Sequence, residues 1–221
     1  MKDVITNMKN NGIFENANKN GSFKQGSANE NEKSNGSSVL SIKTLAVCAV
    51  MTALCCILGP LSIPIGAVPI SLSVISVYLC VYSLGCLKGS LAILVYMLLG
   101  LVGLPVFSNY QGGPAKLFGV TGGYIIGFIF MALISGFFID HFSSKRWYMH
   151  LVGMVLGLGV CYAFGTVYFM LQTNMSLQAT LTVCVYPFLA FDAIKIVLSM
   201  LVGISIRKAL SAAHLMSYKK L

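Results

Sequence analysis

After residue 43 the chain carries only two acidic residues, Asp140 and Asp192, among a succession of long apolar runs. A helix needs about 20 mainly apolar residues to cross a bilayer, and runs of this kind recur along the rest of the sequence. The composition agrees: 57% of residues are apolar and 10% charged, whereas soluble domains carry about a quarter charged. The runs predict an all-α membrane protein with six spans, at about 40–58, 70–86, 90–103, 121–139, 147–171 and 187–206. Residues 1–39, rich in Asn, Lys, Ser and Gly, hold too little apolar surface to offset their ordering entropy and are expected to be a disordered tail. Residues 40–210 form the membrane domain, and 211–221 a short basic tail.

The net charge of +9 does not indicate nucleic acid, because the basic residues gather near helix ends and form no stripe. Membrane topology accounts for them. With six spans both termini share one side, and Lys43, Lys88, Lys145, Arg146, Arg207, Lys208, Lys219 and Lys220 all fall there. The opposite loops carry only Lys116. Cytoplasmic loops attract Lys and Arg, so the expected topology is N-in, C-in in a plasma membrane. The seven cysteines lie within apolar runs and form no Cys-x-x-Cys pair, which argues against zinc or redox chemistry and for small buried hydrophobes.

Between the spans, Cys86-Leu-Lys88-Gly-Ser is expected to be a short turn. Residues 172–186 are expected to be a surface loop with a short helix. The segment from Gly103 to Thr121 is longer than packed helices usually need, and loops of that length tend to be functional. Its Gly112 and Gly113, with Gly122 and Gly123 beyond, allow close approach of backbone to a ligand. On the first span, Ala46, Ala49 and Ala53 make a face of small residues of the kind that lets helices approach closely. Ordinary packing inside the bundle is the competing explanation for that face. Gly153, Gly157, Gly159 and Gly165 punctuate the fifth span at close-packing spacings.

The last apolar run contains Asp192 and Lys195. An ionised side chain near the bilayer centre costs about 3 kcal/mol or more, so such residues face a protein interior or a polar cavity. Their i,i+3 spacing puts them on one helix face, and Pro187 suits the first turn of that helix. The pair is either a self-neutralising structural ion pair or part of a transport or ligand-binding site. Asn109, Tyr110 and Gln111 add groups that both donate and accept hydrogen bonds. Phe107, Tyr124, Tyr162 and Phe188 are candidates to wall an apolar pocket, or simply to pack helices. Catalysis finds no support: there is no P-loop Gly-x-x-x-x-Gly-Lys and no Gly-x-Ser-x-Gly elbow, and the histidines lie near the membrane boundaries.

Three segments carry a family resemblance: Gly103-Leu-Pro-Val-Phe107, Gly119-Val-Thr-Gly-Gly-Tyr-Ile-Ile-Gly127, and Tyr186-Pro-Phe-x-x-x-Asp192-x-x-Lys195. Together they resemble the signature of the BioY family, the biotin-binding substrate-specificity (S) subunits of energy-coupling factor (ECF) transporters, over about residues 42–210. The usual Gly-Pro-Thr reads Gly119-Val120-Thr121 here. The resemblance implies an S-component-like bundle with an outward-facing pocket for biotin, no cofactor, and a bacterial cell membrane as its place. It implies partners too: a transmembrane coupling subunit and two cytosolic ATPase subunits. Asp192 and Asn109 would then meet the ureido ring, and Lys195 either the ureido carbonyl or the valeryl carboxylate. Phe107, Tyr110, Gly112, Gly113, Thr121, Gly122, Gly123, Tyr124 and Phe188 complete the expected site, while Ala46, Ala49 and Ala53 would dock on the coupling subunit. An S component for riboflavin or thiamine, or less plausibly an intramembrane enzyme, is the alternative.

Overall fold

The computed structural model describes residues 42–63, 68–142, 146–216 and 218. The expected tail at 1–39 lies outside the described residues, as do Lys145, Lys219 and Lys220. In chain order the elements are α1 (Ile42–Leu58), β1 (Ser62–Ile63), β2 (Ile70–Ser71), α2 (Ser73–Leu84) and α3 (Cys86–Val102). A 3-10 turn at Ser108–Tyr110 and the one-turn α4 (Pro114–Leu117) follow, then α5 (Gly122–His141), α6 (Trp147–Thr173), α7 (Leu177–Cys184) and α8 (Tyr186–Ala212).

The helices sort their residues inside out relative to a soluble protein. On α8 the buried face runs Phe188, Asp192, Lys195, Ser199, Gly203, Arg207 at three- and four-residue steps, while Ile194, Val197, Leu198 and Leu201 are exposed. Polar groups turned inward and aliphatic groups turned outward fit hydrocarbon as the solvent. Trp147 and Tyr148 at one end of α6, and Tyr186 at the start of α8, are also exposed, where amphipathic rings mark membrane–water boundaries.

Among the described residues three helices, α5, α6 and α8, are long and apolar enough to cross a membrane. The other three expected spans are shorter: α1 and α3 have 17 residues each and α2 has 12. At 1.5 Å per residue α2 covers only about 18 Å. Its environment explains this. Tyr78, Cys80, Val81 and Tyr82 are fully buried, so α2 is the central post of the bundle, solvated by other helices, and need not match the bilayer thickness.

The expected turn at Cys86–Ser90 is instead the first part of α3. The reversal from α2 to α3 is confined to Gly85, whose φ of +80° favours glycine. The new helix start is capped from another helix: Cys86 N–H donates to Asp140 Oδ2 at 2.7 Å. A side chain 54 residues away in sequence shortened the turn. Ahead of α2, β1 and β2 form a small antiparallel pairing, Ser62 with Ser71 and Ile63 with Ile70, so the structure is not purely helical and the span expected from residue 70 starts as a helix at Ser73. Residues 172–186, expected to be a surface loop with a short helix, hold α7, capped by Ser176 and burying Thr180 and Cys184.

α5 and α6 pack through glycines. A Cβ added at Gly157 would lie 2.9 Å from Met131 O and 2.5 Å from Ser135 Oγ. Gly153 and Gly165 similarly abut Phe138 and Tyr124, whereas Gly159 faces open space. At the end of the bundle near Gly85, Arg207 donates to Asp140 Oδ1 at 3.1 Å and lies 4.4 Å over the Tyr218 ring. Tyr218 O–H in turn donates to Ser83 O at 2.6 Å, and Met216 is buried in the core. Among the described residues after α8, Met216 and Tyr218 thus pack back onto the bundle.

Candidate ligand site

At the opposite end of the bundle, the starts of α2, α5 and α8 converge with α6 and the segment joining α3 to α5. They enclose a cavity lined by Val68, Ser71, Ser73, Tyr96, Phe107, Ser108, Thr121, Tyr124, Phe128, Leu158, Cys161, Tyr162, Cys184, Phe188, Asp192 and Lys195, among others. About 70 Å³ of it is open to the centre of a water molecule, room for a few waters.

Asp192 and Lys195 supply the charge. Lys195 Nζ lies 2.7 Å from Asp192 Oδ1, and both side chains are almost wholly buried. The second carboxylate oxygen, Oδ2, accepts from the Tyr162 hydroxyl on α6. Lys195 has three N–H donors and directs one of them at Asp192. The other two have no acceptor among the described residues. Two oppositely charged groups in one low-dielectric cavity stabilise each other only while both are present and hydrogen-bonded.

Phe107 and Phe188 are buried in the wall, and Phe107 meets Tyr96 edge-on at 5.7 Å between ring centres. Tyr96 O–H donates to Val106 O at 2.9 Å and so anchors the loop that carries Phe107. Tyr124 reaches Thr166 at 3.5 Å. Thr121 sits at the N-terminal boundary of α5, buried, and makes no side-chain cap bond. Ser71 Oγ donates to Ser73 Oγ at 3.0 Å. The cavity is thus aromatic-walled, with an ion pair at one position and hydroxyls at others, the mostly apolar and sparsely polar form of small-molecule sites.

Of the residues expected from the sequence, the cavity gathers Asp192, Lys195, Phe107, Thr121, Tyr124 and Phe188. It does not gather Asn109, Tyr110, Gly112, Gly113, Gly122 or Gly123. Asn109 is exposed with φ of +61°. Its Oδ1 accepts from Ser62 Oγ at 2.7 Å, and its own N–H donates to the same oxygen at 2.8 Å. That pairing pins the α3–α5 segment to β1. Tyr110 is 66% exposed, and Gly113 N–H donates to Gly100 O at 2.7 Å. Gly122 packs on Leu117 and Gly123 on Tyr168. Their glycine character serves backbone packing around the site. Lys116 is half-buried in the same segment, and loss of water lowers the pKa of its ammonium. From the sequence Tyr162 is only a wall candidate; its bond to Asp192 spans two helices and leaves no local pattern. Ser71, Ser73 and Ser108 had no signal either.

On the outer surface, α1 and α3 leave a shallow apolar groove of about 620 Å³. Leu45, Ala49, Thr52, Ala53, Cys56 and Ile57 form one side, Leu91, Ala92, Val95 and Leu99 the other. Ala46 is exposed on α1 but outside the groove.

A helical bundle with an apolar exterior and a half-open, charged, aromatic cavity has the form of a membrane protein that holds a small molecule. Comparison with known proteins refines that class. The BioY family model matches residues 30–212, and the chain belongs to the BioY family. It is 41% identical over 128 residues to the biotin transporter BioY of Thermotoga maritima, covering 58% of this chain and 73% of that one. To the probable biotin transporter BioY of Methanothermobacter thermautotrophicus it is 35% identical over 121 residues, covering 51% and 77%. The crystal structure of the S-component for biotin from an ECF-type ABC transporter superposes with a TM-score of 0.71 at 33% identity. That match covers 76% of this chain and 92% of the other. These relatives are transporters, and the fold is that of an S-component.

Proposed function

We propose that this chain is the biotin-capturing membrane subunit of an ECF-type vitamin importer. The observation that carries the reading is the buried Asp192–Lys195 pair, set in an aromatic cavity of a chain that matches a biotin S-component over 92% of that structure. Biotin is the ligand of the cavity, and no resident cofactor takes part. Its ureido ring has two N–H donors and a carbonyl. Asp192 accepts from the donors, and the spare N–H groups of Lys195 meet an acceptor of the ligand, the ureido carbonyl or the valeryl carboxylate. Thr121 is a second partner for the carboxylate. A bicyclic ligand with an acid tail exceeds the room for a few waters, so binding needs outward movement of the wall. The α3–α5 segment, held at Ser62–Asn109, is the part placed to move, and a direct role for Asn109 requires its amide to leave Ser62.

All six of α1, α2, α3, α5, α6 and α8 lie within the bilayer, with both termini in the cytoplasm of a bacterial cell and the cavity facing out. The basic residues at the Arg207 end and the lone Lys116 at the other support this orientation. Energy for uptake comes from partners, a transmembrane coupling subunit and a pair of cytosolic ATPases. The groove beside Ala49 and Ala53 is the docking face for the coupling subunit, because small residues let a partner helix approach closely.

Calorimetry on the detergent-solubilised chain, with biotin, desthiobiotin and riboflavin, tests the reading. One-to-one biotin binding with no riboflavin binding is the expected result. A folded chain that binds riboflavin and ignores biotin would overturn it.

A further inference from the structure

Asp192 is held from two helices at once. Lys195, on the same helix, engages Oδ1 at 2.7 Å, and Tyr162, on α6, donates to Oδ2. Asp192 is 3% exposed and Lys195 7%, and all three residues line one cavity. A carboxylate bonded through one oxygen can still swing about its terminal torsion, which is broad and roughly two-fold. One bonded through both oxygens, by donors on separate helices, cannot. Tyr162 has a single hydroxyl hydrogen, and Asp192 consumes it. What the phenol offers a ligand is then its lone pairs.

We infer that Tyr162 is a positioning residue for ligand selection, fixing the Asp192 carboxylate so that its remaining lone pairs present a rigid acceptor edge to the cavity. The inference rests on the biotin reading and deepens it. Asp192 and Tyr162 together present acceptors, and Lys195 presents the two N–H groups it does not spend on Asp192. A urea edge, with N–H groups flanking a carbonyl, matches that alternation of acceptor and donor. A freely turning carboxylate would match it only part of the time. Geometry held by a group outside the contact itself is how binding sites gain preorganisation. The role also makes α6 part of the selection machinery, although none of the motifs that mark this family falls on that helix.

The test is biotin binding to the full chain in detergent with residue 162 altered while the ring is kept. Tyr162→Phe removes the donor. Incorporated 4-aminophenylalanine keeps a neutral N–H donor in the same place, and 4-methoxyphenylalanine keeps the oxygen without a hydrogen. Expected are a loss of about tenfold in affinity for the phenylalanine and methoxy chains, and affinity within about twofold of the parent for the amino chain. In the Asp192→Asn background, Tyr162→Phe should cost less than twofold, since a residue acting through another is non-additive with it. Equal affinity of Tyr162→Phe and the parent overturns the inference. So does an amino chain as weak as the phenylalanine chain, or full additivity with Asp192→Asn. If Tyr162→Phe does not fold, the amino and methoxy chains decide between donor and ring by themselves. A folded parent that binds no biotin overturns the biotin reading and this role together, whereas a biotin-binding parent with an unaffected variant removes only the role.

Discussion

Asp192 and Lys195 are each 7% exposed or less, and each offsets the cost of burying the other's charge. Replacing Lys195 by Met leaves a buried carboxylate with only the Tyr162 hydroxyl, and removal of one member of a buried pair costs about 3–5 kcal/mol. Thermal unfolding in detergent should show Lys195→Met well below the parent, with the double variant Asp192→Asn/Lys195→Met recovering much of the loss. A double variant no better than the single would mean that the pair is not the source of the penalty. Asp192→Asn alone keeps shape and one acceptor oxygen but puts a donor where a ligand N–H should bond. Biotin affinity should fall at least about tenfold, about 1.4 kcal/mol, in a chain that still folds but melts lower, because Lys195 loses its counter-charge. Unchanged affinity would assign the pair a purely structural role.

Elements are positioned here by contacts made far along the chain. The α2–α3 corner depends on Asp140 of α5 capping Cys86, and the α3–α5 segment is pinned to β1 by Ser62 and Asn109. If that segment moves to admit ligand, Ser62→Ala removes a tether worth about 1 kcal/mol. Biotin association and dissociation should both accelerate, about fivefold, with little change in Kd. Stopped-flow mixing with labelled biotin measures both, and a faster dissociation with unaltered association, hence a weaker Kd, would place the tether in the site and not on the path to it.

The whole molecule presents one face with small residues, beside a shallow apolar groove of α1 and α3. Ala49 and Ala53 are exposed there, beside the buried Cys48 and Thr52 that also line the groove. Ala49→Leu and Ala53→Leu should leave biotin binding as in the parent and cut co-purification with the coupling subunits severalfold. Assembly that survives both changes would place the docking face elsewhere. Orientation is checked by cysteine labelling in intact cells, in a background with the seven native cysteines replaced. A cysteine at Lys116 should react with an impermeant reagent from outside, and one at His214 only after permeabilisation. The reverse pattern would invert the topology.

Much of this was legible in the sequence because the physics behind it is local or compositional. Hydrocarbon demands long apolar runs, so the helices could be placed to within a few residues. An i,i+3 spacing puts Asp192 and Lys195 on one face whatever surrounds them, and the 2.7 Å contact follows. The glycines of α6 announced a close neighbour, and Gly153, Gly157 and Gly165 meet one, while Gly159 does not. Tertiary structure decided what distance along the chain conceals. Only three-dimensional packing brings Tyr162 to Asp192, ties Asn109 to Ser62 outside the cavity, starts α3 at Cys86 on a cap from Asp140, and folds Met216 and Tyr218 back onto the bundle. Each of these is one side chain satisfying another from a different element. Such pairings follow from where helices cross, and no run of neighbouring residues encodes a crossing.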